Sequence, residues 1–126
     1  MSFKVGKPEG IAEFFGEKYV KTDKKNINKP VIIEKIFKGF DEKTGESYVA
    51  IGGNMVGVCV WFYAPSYDTS GINQIDDSDI DILCDGSYCY IVERRESTDN
   101  NREYYTGYVE LREALTNKGW LYGIDN

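Results

Sequence analysis

Four carboxylates in six residues, Asp76-Asp77-Ser78-Asp79-Ile80-Asp81, stand in a chain of 126 that contains no histidine. Carboxylates at this density can hold a cation, imitate nucleic-acid phosphates, dock on a basic protein or simply stay solvated. The missing imidazole removes the commonest general base and a leading metal ligand. Asp77, Asp79 and Asp81 match the first, third and fifth positions of a calcium loop. That loop also needs glycine at its sixth position and a bidentate glutamate at its twelfth, where this chain has Ile82 and Tyr88. Zinc would need two further ligands beside Cys84 and Cys89, and only Cys59 is left. The expectation is therefore no metal, no cofactor and three buried cysteines that behave as small apolar groups.

Catalysis finds no better footing. A serine or cysteine nucleophile normally works beside a base, most often the absent histidine. Paired carboxylates occur in any acidic protein and specify no reaction. Gly52-Gly53 fits a turn and does not resemble a phosphate-binding loop. No catalytic residue is assigned, and the chain reads as non-enzymatic.

Charge is spread unevenly. Residues 1–43 carry +3 and residues 44–126 carry −9, within a formal total of −6. Such a field repels nucleic acid from the acidic part and steers basic partners toward it. Eighteen aromatic side chains and an apolar share of 41% exclude wholesale disorder. The longest apolar stretch, Val56 to Ala64, falls well short of the roughly 18 residues needed to cross a bilayer. With no apolar segment after Met1-Ser-Phe-Lys and an odd number of cysteines, a cytoplasmic setting is expected. Residue usage rich in Lys, Asn and Ile, with only four alanines, points to an AT-rich genome of a low-GC bacterium or its phage.

These side chains need elements to position them. Ile11, Phe14, Phe15 and Tyr19 share one side of a helix over about residues 8 to 20, followed by a lysine-rich loop. Val31 to Phe40 fits either a helix or a strand. The turn Asp41-Glu-Lys-Thr-Gly45-Glu46 and the alternating Ser47 to Ile51 favour a hairpin. From Val56 to Tyr63 both alternating sets are apolar, which predicts a strand at the centre of the sheet. Asp79 to Asp85 alternates with Ile80, Ile82 and Cys84, and Asp85-Gly86 turns it into a second strand, Ser87 to Arg95. Val109, Leu111 and Leu115 predict a closing helix with a glycine stop, and Trp120, Leu121 and Tyr122 are expected to pack the exit onto the sheet. The fold expected is a single α+β domain over 1–126, a roughly five-stranded, mainly antiparallel sheet with an N-terminal and a C-terminal helix.

In that hairpin Ile80, Ile82, Cys84, Cys89 and Ile91 share one face whichever turn register applies, because a shift of two residues preserves the pleat. The opposite face gathers Asp77, Asp79, Asp81, Leu83, Asp85, Tyr88 and Tyr90. Tyrosine is common in interface hot spots, and carboxylates beside it steer a basic partner. Same-face aspartates on a strand repeat at roughly 6.8 Å, about half the charge density of one DNA strand. Plain complementarity with a basic protein surface fits this spacing better than full DNA mimicry, and direct nucleic-acid binding is disfavoured.

The resulting expectation is a small acidic binding protein that inhibits or neutralises a larger partner, basic or nucleic-acid-handling. Size, charge and residue usage look like the broad classes of phage anti-defence proteins, anti-CRISPR inhibitors included, and of toxin-immunity proteins. This resemblance is one of composition. Two alternatives stand beside it: a protein that sequesters a small molecule or nucleotide signal in a pocket lined by Trp61, Tyr63, Tyr67 or Trp120, and a virion structural or assembly protein.

Overall fold

The computed structural model describes residues 10–22 and 27–119, and the backbone of 3–6. Its trunk is β3 (Val31–Asp41), an eleven-residue strand whose β-branched start suits a sheet covered on both faces. A turn with Gly45 in the left-handed region returns the chain as β4 (Glu46–Met55), antiparallel to β3. Next to β4 runs β5 (Val58–Tyr63), and the two-residue β2 (Val20–Lys21) pairs in parallel with its outer edge.

Two strands share the other edge of β3. β7 (Tyr88–Glu96) pairs with Val31 and Ile32, whereas β1 (Phe3–Gly6) runs parallel to Ile36 through Gly39. β8 (Glu103–Leu111) lies antiparallel to β7, and β6 (Tyr67–Asp68) parallels β8. The order is β2-β5-β4-β3-β7-β8-β6 with β1 beside β3, an eight-stranded mixed sheet. Among the described residues three short helices flank it, α1 (Ile11–Phe15), α2 (Asp77–Leu83) and α3 (Arg112–Asn117), with a 3₁₀ turn at Ile72–Gln74.

This corrects the five-stranded, mainly antiparallel expectation. The hairpin about Asp85-Gly86 is absent, because Asp77–Leu83 is helical and β7 takes β8 and β3 as its neighbours. The closing helix starts only at Arg112, so Val109 and Leu111 belong to a strand. β3, not β5, is the central strand. Val58 is 53% and Tyr63 43% exposed, which fits β5's place one strand from the edge. Two-residue parallel strands such as β2 and β6 are too short to leave a periodic signal in a sequence. The expected packing of Trp120, Leu121 and Tyr122 lies outside the described residues.

Both faces of the sheet are covered. On one, Val31, Ile33, Ile36, Ile51, Phe62 and Tyr90 pack with Ile72 and with Ile80 of α2. On the other, α1 lays Ile11 and Phe15 over Phe37, Ala50 and Trp61, and Leu115 of α3 covers Ile32, Cys89 and Ile91. A bulge in β3 makes this double burial possible. The register passes from Ile33↔Gly53 to Lys35↔Gly52, which leaves Glu34 as the extra residue. Glu34 and Lys35 both meet the α1 side: Tyr19 donates its hydroxyl to Glu34 Oε1 at 2.9 Å, and Lys35 Nζ donates to the Phe14 carbonyl at 3.1 Å. Ile33 and Ile36 can then both enter the opposite core.

Close approach selects glycine at position 107, where a Cβ would overlap the ring and hydroxyl of the buried Tyr90. At the β4–β5 tip, Met55 pairs with Val58 and the two residues between them have positive φ, 50° at Val56 and 84° at Gly57. Both central residues of a type I′ turn need this conformation, and a β-branched side chain there is strained. Val56→Asn is therefore expected to raise stability by about 1 kcal/mol in urea denaturation, because asparagine tolerates the left-handed region. Gly107→Ala is expected to lower it by about 1–3 kcal/mol through overpacking. A neutral result for both would contradict these local geometries.

Candidate protein-binding surface

The acidic segment is helical for reasons its sequence contains. Asp76 has extended backbone angles (φ −60°, ψ 146°) at the N-cap, and Asp77 and Asp79 lie in the first turn, where unpaired N–H groups favour negative charge. Ile80, Leu83 and Cys84 then fall at i, i+3 and i+4, a stripe that seals the helix onto the core with Ile80 wholly buried. Lys38 fixes the approach to the helix. Its Nζ donates to the Ile75 carbonyl at 2.7 Å and lies 3.7 Å from Asp77 Oδ1, with only 12% of the side chain exposed.

The residues expected on one strand face are therefore redistributed. Asp77, Asp79 and Asp81 are exposed on α2, and Leu83 is half-buried against the core. Asp85 is exposed after the helix, where its Oδ1 accepts the Ser87 N–H at 2.8 Å. Tyr88 is half-buried at the start of β7. Tyr90 lies wholly inside, so it cannot join a surface with the aspartates as expected. Its hydroxyl donates to Asp68 Oδ1 at 3.1 Å, and the same carboxylate accepts the Ser70 and Ile72 N–H groups at 3.0 and 3.2 Å. Tyr90 is thus a structural tie between β7 and the loop after β6.

Sequence reasoning placed Ile82 with the core and missed its actual position. At 53% exposure it stands on the outer ridge of α2 beside Ser78, with Asp77 and Asp81 on one flank and Asp79 on the other. The signal was available in the spacing: if Ile80, Leu83 and Cys84 face inward, position 82 must face out. An open groove of about 560 Å³ adjoins the helix exit, between the Asp85–Ser87 turn and the start of α3. Tyr88, Leu111, Arg112 and Glu113 contribute to its walls, and only Asp85 and Tyr88 of this groove were nominated from sequence.

Of the described aromatic residues considered for a small ligand, Trp61 and Tyr63 lie together on β5 and Tyr67 stands at the opposite end of the sheet. Trp61 is buried, stacked on Phe15 with centroids 5.1 Å apart and with Lys21 Nζ 5.5 Å from its ring centre. Tyr63 sits edge-on to Trp61, whereas Tyr67 pairs with Tyr104 at the far edge strand. Trp120 lies outside the described residues. Cys59, Cys84 and Cys89 are free thiols, and among the described residues no three His, Cys, Asp or Glu side chains gather as a metal site. No helix among the described residues is long and apolar enough to cross a membrane. The chain matches no protein-family model, no curated protein and no solved structure.

Tyr19, Tyr90 and Tyr108 resist ionisation. Burial first, then the hydrogen bond and charge of Glu34, raises Tyr19; burial and then Asp68 raise Tyr90; burial and then Glu93 and Glu110 raise Tyr108. Their unfolded counterparts ionise near pH 10, so this stabilisation is complete below about pH 10 and is lost as pH rises beyond it. Alkaline titration is expected to release these phenols together with loss of the near-UV dichroism of the fold, and Tyr90→Phe to remove one of them. Ionisation of every tyrosine while that dichroism persists would contradict their placement.

Proposed function

We propose that this is a small non-enzymatic binding protein that inhibits or neutralises a larger partner, basic or nucleic-acid-handling, by docking α2 against it. Phage anti-defence inhibitors, anti-CRISPR proteins included, and toxin-immunity proteins work in this general manner, and the compositional resemblance supports the same reading. The observation that carries the proposal is Ile82, an apolar side chain 53% exposed on a helix whose other outward residues include Asp77, Asp79 and Asp81. An isolated apolar contact ringed by charge has the form of an interface anchor. The anchor gains from desolvation once covered, while the surrounding carboxylates accelerate encounter with a basic surface and disfavour acidic ones. The helix is also held for the purpose: Ile80 and Lys38 fix it to the sheet, so little ordering cost falls on binding.

Capture of the partner from the native host by the wild-type chain and by two variants tests this. Asp77→Asn, Asp79→Asn and Asp81→Asn together are expected to slow association and flatten its salt dependence. Ile82→Ser is expected to weaken affinity by about tenfold or more, chiefly through faster dissociation. Ile82→Ser leaves the core untouched, whereas the triple variant gives up the Asp77–Lys38 pair and the first-turn charge of α2, so native circular dichroism is the required control for both. Unchanged affinity in both would defeat the assignment of α2.

A further inference from the structure

We propose that the groove beside α2 receives a single arginine side chain of the protein partner. The proposal rests on the docking role of α2 and adds the chemistry that the partner brings to it. At about 560 Å³ the groove has the size of a small-ligand site, ample for one long side chain. Its walls are of two kinds. Leu111, 49% exposed, and the half-buried Tyr88 offer apolar contact for a methylene stem and a ring on which a guanidinium can stack.

Asp85 and Glu113 supply carboxylates, and neither forms an ion pair with another described residue. Arg112 is the fastening of α3 to the turn: its N–H donates to the Ser87 carbonyl at 2.8 Å, and its Nη1 faces the Gly86 carbonyl at 3.5 Å. Counted over the described residues that line the groove, Arg112 offsets one of the two carboxylates and one negative charge remains. Asp85 lies just beyond the end of α2, on the Asp85–Ser87 side of the groove and across from Glu113 of α3. A guanidinium fits both kinds of wall, because its flat fork of donors suits the two carboxylates and its face suits Tyr88. Lysine offers charge without the stacking plane.

Amide chemical shifts of the isotope-labelled full chain provide the test, with N-acetyl-arginine methylamide as probe and the uncharged isostere N-acetyl-citrulline methylamide as control, at constant ionic strength. The expected result is saturable shifts at Gly86, Ser87, Tyr88, Leu111 and Glu113 with the arginine probe alone. Glu113→Gln, at an exposed position, is expected to weaken that binding by about fivefold, the order of one partly exposed charge contact. Equal shifts with citrulline, shifts confined to Asp77 through Ile82, or no saturable shift at all would each overturn the groove assignment. Failure of the α2 reading shows separately, as unchanged partner affinity in the capture experiment.

Discussion

One extra residue in β3 sets the terms for the whole molecule. A strand buried on both faces must send alternate side chains into two cores, and strict alternation from Val31 would have placed Ile33 and Ile36 on opposite sides. The bulge at Glu34 breaks that alternation once. Val31, Ile33 and Ile36 then serve the core beneath α2, while Ile32 and Phe37 serve the layers beneath α3 and α1. The polar consequence is confined to a small area. Glu34 and Lys35 arrive next to one another on the α1 side, where the Tyr19 hydroxyl and the Phe14 carbonyl satisfy them. The edge of β3 is likewise divided, with β7 on its first residues and β1 further along; β7 then continues paired with β8, and Ile80 of α2 and Ile72 of the 3₁₀ turn complete the core.

The same side chains explain which features could be read beforehand. The β3–β4 hairpin announced itself through Asp41 to Glu46, since a glycine in the left-handed region is what that turn requires and Gly45 provides it. Ile11 and Phe15 gave a helix, and Gly16 with φ 76° ended it sooner than the apolar spacing to Tyr19 implied. The acidic segment misled because seven residues fit two periods. Ile80, Ile82 and Cys84 alternate like a strand, whereas Ile80, Leu83 and Cys84 repeat like a helix. The charged first turn decides between them, because carboxylates at a helix N-terminus are favourable and a row of like charges along a strand is not. β8 was hidden by Val109, Leu111 and Leu115, whose spacing imitates a helix face across a strand–helix junction.

Tyr90 shows how a plausible surface residue becomes internal. Tyrosine beside acidic residues looks like an interface in a sequence. Here the ring fills the space over Gly107, and Asp68 gives the hydroxyl a partner inside the fold. What remains outside is a smaller and more specific arrangement than an acidic run. It consists of a pinned helix with an exposed isoleucine between carboxylates, continued by a groove that joins Tyr88 to Leu111 and Glu113. In the proposed docking, the lopsided charge of the chain would add long-range steering to these short-range contacts, giving affinity and encounter rate separate structural origins.

Hydrogen–deuterium exchange of the free protein and of its complex with the captured partner tests the central claim most directly. The account predicts slowed exchange over residues 77–88 and 111–117, with the Val56 turn and the Tyr67–Tyr104 edge unchanged. Protection confined to that turn or that edge, with α2 exchanging as in the free protein, would contradict it.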